Sequence, residues 1–289
     1  MSHDRLDASL DIDRRSTLEI VHIIQEQDAL VAPAVAAEAE KIAHAVDEIA
    51  NRMHHGGRMF YVGAGTSGRI AMLDAAELPP TFGIDHSLVR VIMAGGERAF
   101  FAAAEGAEDD EDAAIAAIEQ DVIADDAVVG IAASGTTPYT VAAIRKANMI
   151  GALTVGITSI PGSPLAQEAD IAITPEVGPE VIMGSSRMKS GTAQKLVLNT
   201  ISTAVMIRLG HVYSNLMIDM PATNDKLRNR AVRMVELAAD VPRATAVQAL
   251  RDASGSVRLA TVIAKKRVSA EEAKALLRGR KLREVLESV

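Results

Sequence analysis

Apolar residues recur along the chain in short runs that predict buried strands. Helical candidates of about a dozen residues separate these runs. Strands that alternate with helices of this length are typical of a parallel sheet covered by helices on both faces. The pattern therefore predicts an α/β protein with a doubly wound parallel sheet. The strand candidates are RMFYVGAG, LVRVIMAGG, AVVGIAAS, ALTVGITS and ADIAITPEV.

Helical patterns flank the predicted sheet at both ends of the chain. Residues 16–55 have helical periodicity that stops at a pair of glycines, and from about residue 240 short helices follow without strands. Ser269 and Glu272 have the spacing of a capping box, which predicts a helix start there. We expect three segments: an N-terminal helical segment (1–48), the sheet domain (49–212) and a C-terminal helical region (213–289).

Composition and charge exclude several classes of function. The chain has 289 residues, 48% of them hydrophobic, which favours a soluble globular protein. It has no cysteine, so disulfides and thiolate nucleophiles are excluded, and its seven histidines form no metal-ligand pattern. A net charge of -8 argues against a nucleic acid partner. Neither a signal peptide nor a membrane-length apolar run is recognisable, so we expect no membrane partner and a cytoplasmic location.

Three predicted junctions between a strand and a helix are rich in glycine and hydroxyl groups. Each one alone is typical of a helix N-cap, but three at equivalent positions favour a phosphate site, because N–H groups and hydroxyls both donate to phosphate oxygens. Arg187 and Lys189 follow the third junction and could bind an anion, although structural ion pairs are an equal interpretation. The candidate hydroxyls are Thr66, Ser67, Ser134, Thr136, Thr137, Ser185 and Ser186.

The first junction also has the G-x-G-x-x-G spacing of a dinucleotide-binding loop, in YVGAGTSGR at 61–69. A dinucleotide site needs an acidic residue for the ribose, about 20 residues further on. Glu97 comes slightly late and Asp85 comes before the second strand. The sequence therefore favours a sugar phosphate over a dinucleotide.

Four stretches of the chain resemble the N-acetylmuramic acid 6-phosphate etherases, which are sugar isomerase (SIS) domain proteins of bacterial cell-wall recycling. One of them, GSSRMKSGTAQK, is shared with glucokinase regulatory proteins, whereas AELPPTFG and EGAED favour the etherases. The chain departs from the family at Thr136, where arginine is usual, and at Met183, where a small residue is usual. The stretches are FYVGAGTSGRIAMLDAAELPPTFG, GGERAFFAAAEGAED, GIAASGTTPYTVAA and GPEVIMGSSRMKSGTAQKLVLN.

The resemblance implies cleavage of the D-lactyl ether of N-acetylmuramic acid 6-phosphate, giving N-acetylglucosamine 6-phosphate and D-lactate. Loss of the proton on carbon 2, expulsion of the lactate oxygen from carbon 3 and addition of water require an acid and a base. The reaction needs neither a metal nor a redox cofactor. The resemblance also implies a homodimer.

The resemblance assigns the two catalytic carboxyl groups to Glu77, as proton donor, and Glu108. Glu77 is expected in the last turn of a helix that Pro79 and Pro80 end, where the helix dipole disfavours a negative charge and so favours the protonated form. Glu108 lies in an acidic run in which Asp109 remains an alternative. A sugar-phosphate aldose–ketose isomerase and a non-catalytic sugar-phosphate sensor stay open as alternative functions.

Overall fold

The computed structural model describes residues 5–102, 104 and 106–288, and these form two compact units. Within the described residues, the first unit is formed from Met1–Ala75 and His86–Val205, and the second from Ala76–Asp85 and Met206–Val289. The three segments expected from the sequence divide the chain differently and stay a prediction.

Five strands and eight helices begin in the described part of the first unit. Two of these helices continue into the second unit. The strands are β1 (Met59–Gly63), β2 (Val89–Met93), β3 (Ala127–Ile131), β4 (Leu153–Ile157) and β5 (Ile171–Ile173). The helices confined to this unit are α1 (Thr17–Asp28), α2 (Val31–Ala36), α3 (Ala39–His54), α5 (Glu111–Asp121), α6 (Pro138–Ile150) and α7 (Pro164–Glu168). The two that continue are α4 (Gly65–Phe82) and α8 (Lys189–Leu209).

The five strands form one parallel sheet in the order β2-β1-β3-β4-β5, which confirms the predicted fold class. Every residue of β1, β3 and β4 is buried, as expected for strands covered on both faces. Gly63, the last residue of β1, pairs with Met93 and Ile131, the last residues of β2 and β3. The strands therefore end level, and the loops that follow them emerge side by side at one edge of the sheet.

Side chains of β1 alternate between the two faces of the sheet, and both faces are covered by helices. Phe60 and Val62 belong to a core cluster that includes residues of α5 and α6. Tyr61 points to the other face, where its hydroxyl donates to Asp74 of α4 at 2.8 Å. Asp74 also accepts a hydrogen bond from Ser202 of α8 at 3.0 Å. The α4–α8 pair therefore covers the face opposite α5 and α6.

The described part of the second unit is mainly helical, as the sequence predicts, with one small hairpin. The capping box of Ser269 and Glu272 is present, which confirms that prediction. Asp219 is held by Arg258, whose Nε donates at 2.7 Å, and by His211 at 2.9 Å. Burial favours a higher pKa for Asp219, but the hydrogen bonds from Arg258 and His211 outweigh it and lower the pKa. The further elements are β6 (Val212–Tyr213), β7 (Leu216–Met217), α9 (Asp225–Ala239), α10 (Arg243–Asp252), α11 (Val257–Lys266), α12 (Ala270–Leu277) and α13 (Leu282–Glu287).

The helical pattern of residues 16–55 is confirmed, as the three helices α1, α2 and α3. One expectation about a helix end is wrong. The helix after β1 does not end at Pro79 and Pro80 but continues to Phe82. A proline removes its own N–H from the helical hydrogen bonds and crowds the preceding turn, but the residues after it keep their N–H groups and can remain helical. Gly83 ends α4, with a φ of 64° and an N–H that donates to the Pro79 oxygen at 2.9 Å.

Candidate active site

A cavity of about 540 Å³ lies where the loops after β1 and β3 meet the loop before α8. Each of the three predicted phosphate loops contributes side chains to it, and the loop before α5 contributes carboxylates. The level strand ends explain how segments far apart in the sequence reach one cavity. The predicted residues that line it are Thr66, Ser67, Glu108, Ser134, Thr136, Thr137 and Ser186.

The first loop brings the start of α4 very close to the end of β1. A Cβ atom at Gly68 would lie 2.1 Å from the Met93 sulfur and 2.9 Å from the Gly63 oxygen, so no larger residue fits there. The first turn of α4, with Thr66 and Ser67, faces the cavity. N–H groups of a first helical turn have no carbonyl partner within the helix and carry partial positive charge. This end of α4 is therefore suited to an anion.

The second loop turns sharply between β3 and α6. Gly135 has a φ of 65°, and a Cβ atom there would lie 2.0 Å from the Ser163 hydroxyl oxygen. Ser134 accepts hydrogen bonds from the N–H and the hydroxyl of Thr136, at 3.2 and 2.9 Å. The Ser134 hydroxyl proton can therefore point toward a ligand. Thr137 is the N-cap residue of α6 without a side-chain capping bond, so the start of a second helix also faces the cavity.

The third loop is fixed by Glu180, which sequence reasoning missed. Its buried carboxylate accepts the N–H groups of Lys189 and Ser190, both at 3.0 Å, at the start of α8. A carboxylate at a helix N-terminus stabilises it through hydrogen bonds and the dipole. Capping signals are sought one to three residues before a helix, and Glu180 lies outside that range. Its effect is to fix the start of α8 beside Ser186.

Three predicted binding residues of this segment do not line the cavity. Ser185 is half-buried and Arg187 is exposed. Lys189 is buried, and its ammonium group donates to the Gln27 side-chain oxygen of α1 at 2.8 Å. Burial lowers the pKa of Lys189, against the opposing effect of Glu180 and Asp28. A role in substrate binding for these residues stays a prediction.

The residues of the acidic run before α5 have different surroundings: one caps the helix and two line the cavity. Asp110 is the N-cap of α5 and accepts the Ala113 N–H at 2.9 Å. Glu108 and Asp109 precede it in a 3₁₀ turn (Ala107–Asp109); both are exposed and both line the cavity. The choice between Glu108 and Asp109 as the second catalytic carboxylate therefore stays open.

Glu77 is exposed and lies on the part of α4 that belongs to the second unit. Because α4 ends at Phe82, Glu77 precedes the last turn of the helix. The dipole argument for a protonated Glu77 is weaker than the sequence suggested, since the effect falls off beyond the last turn. Its assignment as proton donor stays a prediction.

Arg69 is a second residue that sequence reasoning missed. It donates to the carbonyl oxygens of Phe100 and Ala102, at 3.2 and 3.1 Å, and so ties α4 to the loop that leads to Glu108. Together with Glu108 it lines a neighbouring cavity of about 250 Å³. The sequence signal that could have identified Arg69 is its position directly after the glycine motif. Arg69 places a positive charge beside the candidate carboxylates.

Comparison with known proteins identifies the family. Residues 41–148 match the model of the glucokinase regulatory protein N-terminal SIS domain, and residues 99–204 match that of the SIS domain. An N-acetylmuramic acid 6-phosphate etherase from Symbiobacterium thermophilum is 58% identical over 91% of this chain and 87% of its own. Another from Clostridium beijerinckii is 49% identical over 94% and 90%. The chain belongs to the N-acetylmuramic acid 6-phosphate etherase family.

The fold of this etherase family member is the SIS type. A phosphoheptose isomerase from Francisella tularensis matches it with a TM-score of 0.50 and 16% identity, covering 67% of this chain and 100% of the other. At that identity the match shows the fold alone. The fold class predicted from the sequence is confirmed, and so is the resemblance to the etherases.

Proposed function

We propose that this chain cleaves the D-lactyl ether of N-acetylmuramic acid 6-phosphate, giving N-acetylglucosamine 6-phosphate and D-lactate. The observation that carries the proposal is the 58% identity to an etherase over 91% of the chain. The structure adds a cavity with hydroxyl and N–H donors and with the carboxylates of Glu108 and Asp109. The family relationship favours an etherase over an isomerase or a non-catalytic sensor.

The phosphate of the substrate binds to the hydroxyls and helix starts of the first two loops. Ser67, Ser134 and Thr137 lie beside two helix N-termini in the cavity. Backbone N–H groups and hydroxyls bind a phosphate dianion without a cation, because each N–H carries partial positive charge and the helix dipole adds to it. This arrangement suits a site in which position 136 is threonine instead of the arginine that is usual in the family.

The ether bond breaks by elimination followed by addition of water. In the open-chain sugar the aldehyde acidifies the proton on carbon 2, so a carboxylate can remove it. The lactate oxygen then leaves carbon 3 with a proton from a carboxylic acid. We assign proton donation to Glu77 and the second carboxylate to Glu108, with Asp109 as the alternative. Opposite protonation states of the two groups would allow one to act as acid and the other as base.

The test is release of D-lactate from N-acetylmuramic acid 6-phosphate by the purified protein. We expect Glu77→Gln and Glu108→Gln each to lower kcat by at least about 100-fold, the usual contribution of general acid–base catalysis. Glu97→Gln, at an exposed position outside the cavity, should retain wild-type turnover. Circular dichroism checks that the variants are folded. An active Glu108→Gln beside an inactive Asp109→Asn would transfer the role to Asp109.

The same assay distinguishes the alternative functions. Isomerisation of an ordinary hexose 6-phosphate without lactate release would overturn the proposal in favour of an aldose–ketose isomerase. Binding of the sugar phosphate without turnover would overturn it in favour of a sensor.

We also propose that the protein is cytoplasmic and works as a homodimer. Among the described residues, no helix is sufficiently long and apolar to cross a membrane. An apolar groove of about 390 Å³ between the α2–α3 segment and α8 supports the dimer, because small side chains there allow helices of a second copy to approach closely.

A further inference from the structure

A second cavity of about 270 Å³ continues from the candidate active site. It shares Ala133 and Ser186 with the 540 Å³ cavity, so the two form one cleft. None of the residues assigned to phosphate binding or proton transfer lies in it except Ser186. The substrate has more groups than its phosphate and its reacting carbons, and this space can hold one of them.

The charges in this second cavity are negative. Glu176 and Glu180 line it, and none of its described lining residues is lysine or arginine. The carboxylate of Glu180 is already bound by two backbone N–H groups, whereas Glu176 is exposed. Lys189, whose ammonium group lies close to Gly178 of the lining, already donates to Gln27, so an anionic group placed there would meet the like charge of Glu176 and Glu180. The cavity therefore disfavours both the phosphate and the lactyl carboxylate.

The opposite end of the cleft contains an arginine beside a carboxylate. The 250 Å³ cavity shares Ala64, Gly65 and Glu108 with the central one and contains Arg69. The central cavity has the helix starts and hydroxyls, and the outer cavity has the guanidinium group. Glu108 and Asp109 also line the central cavity, but there the hydroxyls and helix starts can donate to an anion, and Arg69 lies in the adjoining cavity. The anionic groups of the substrate are therefore better accommodated in these two cavities, which leaves the second cavity for a neutral group.

The walls of the second cavity suit a small amide with a methyl group. Ile160, Pro161 and Met183 provide apolar surface, and Ser159 and Ser190 provide hydroxyls. Apolar walls with a few placed polar groups are the usual composition of a site for a small neutral group. We propose that this cavity is the subsite for the acetamido group of the substrate, with Met183 limiting the size of the N-acyl chain. The inference rests on the proposed function, since it takes its ligand from that reaction.

The experiment compares substrates that differ only in the N-acyl group, N-acetyl and N-butanoyl, by kcat/KM for lactate release. The wild type should prefer the acetyl substrate. Met183→Ala should raise the butanoyl-to-acetyl ratio of kcat/KM by about tenfold or more, the discrimination typical of one or two methylene groups in a fitted pocket. Met183→Phe should lower that ratio.

Ile182→Ala is the matched control. Ile182 is 52% exposed and Met183 is 54% exposed, and the two are neighbours, but Ile182 does not line the second cavity. Its substitution should leave the ratio unchanged. An unchanged ratio in Met183→Ala, or an equal change in Ile182→Ala, with lactate release intact, would overturn the subsite and leave the proposed function standing. Absence of lactate release by the wild type would overturn both.

Discussion

At the scale of single residues, Thr136 allows a test of how the phosphate is bound: by a positively charged side chain or by the N–H groups at helix starts. Its side chain is exposed, lines the central cavity and donates to Ser134. The related etherases are expected from the sequence to carry arginine here, so we expect this chain to rely more on N–H groups and hydroxyls for the phosphate. A guanidinium group restored at this position would add a charge-assisted contact.

We expect Thr136→Arg to lower KM about fivefold at low ionic strength, which corresponds to roughly 1 kcal/mol for an exposed ionic contact. The gain should shrink with added salt, and kcat should change little because the phosphate is held similarly in the ground and transition states. Steady-state kinetics at two ionic strengths measure this. Ala124→Arg adds the same charge at the opposite end of β3 and should have no effect. Equal KM values for Thr136→Arg and the wild type at both ionic strengths would remove Thr136 from the phosphate site.

At the scale of elements, a buried polar network joins β1, α4 and α8. Asp74 is 5% exposed and accepts hydrogen bonds from Tyr61, Asn199 and Ser202. Burial raises the pKa of Tyr61 well above its usual value, so its hydroxyl stays protonated and remains a donor. The network fixes α4, whose first turn lies in the cavity, against the sheet.

Removing Asp74 should therefore cost far more stability than removing one donor. We expect Asp74→Ala to lower the free energy of unfolding by about 3 kcal/mol, because it leaves several buried donors unpaired, and Tyr61→Phe by about 1 kcal/mol. Asp125→Ala, at an exposed position, should change it by less than about 0.5 kcal/mol. Urea unfolding measures all three. A loss for Asp74→Ala no larger than that for Tyr61→Phe would contradict this interpretation.

At the scale of the whole molecule, the proposed homodimer depends on a groove that the first unit leaves uncovered. Small and aliphatic side chains make up most of its lining, and such a surface gains stability when a second copy removes it from water. The lining residues are Val35, Ala36, Ala39, Ile42, Ala43, Val46, Asp47, Thr200 and Ala204.

We expect the wild type to sediment as a dimer and Ala43→Glu as a monomer, because the substitution places a carboxylate on the apolar lining. Ala43 is exposed and lines the groove, whereas its exposed neighbour His44 does not. His44→Glu should therefore remain a dimer. Analytical ultracentrifugation over a range of concentrations measures the state, and a monomeric wild type, or a dimeric Ala43→Glu, would contradict the proposed interface.

The sequence by itself determined the strands, the loops rich in glycine and hydroxyl groups, and the family. Each of these is a local property: apolar runs of strand length, glycine and hydroxyl groups at strand ends, and continuous motifs such as GSSRMKSGTAQK. Even the convergence of Thr66, Ser134 and Ser186 on one cavity followed from the parallel sheet, because the carboxyl ends of its strands meet at one edge.

Only the tertiary structure decided which neighbours of those motifs face the cavity. Lys189 follows Ser186 by three residues, yet its ammonium group binds Gln27, which lies 162 residues away in the sequence. Glu180 fixes α8, and α4 continues through Pro79 to Phe82. These outcomes depend on burial and on hydrogen bonds between distant segments. Periodicity and spacing contain no information about such contacts, because they describe each segment without the partner against which it packs.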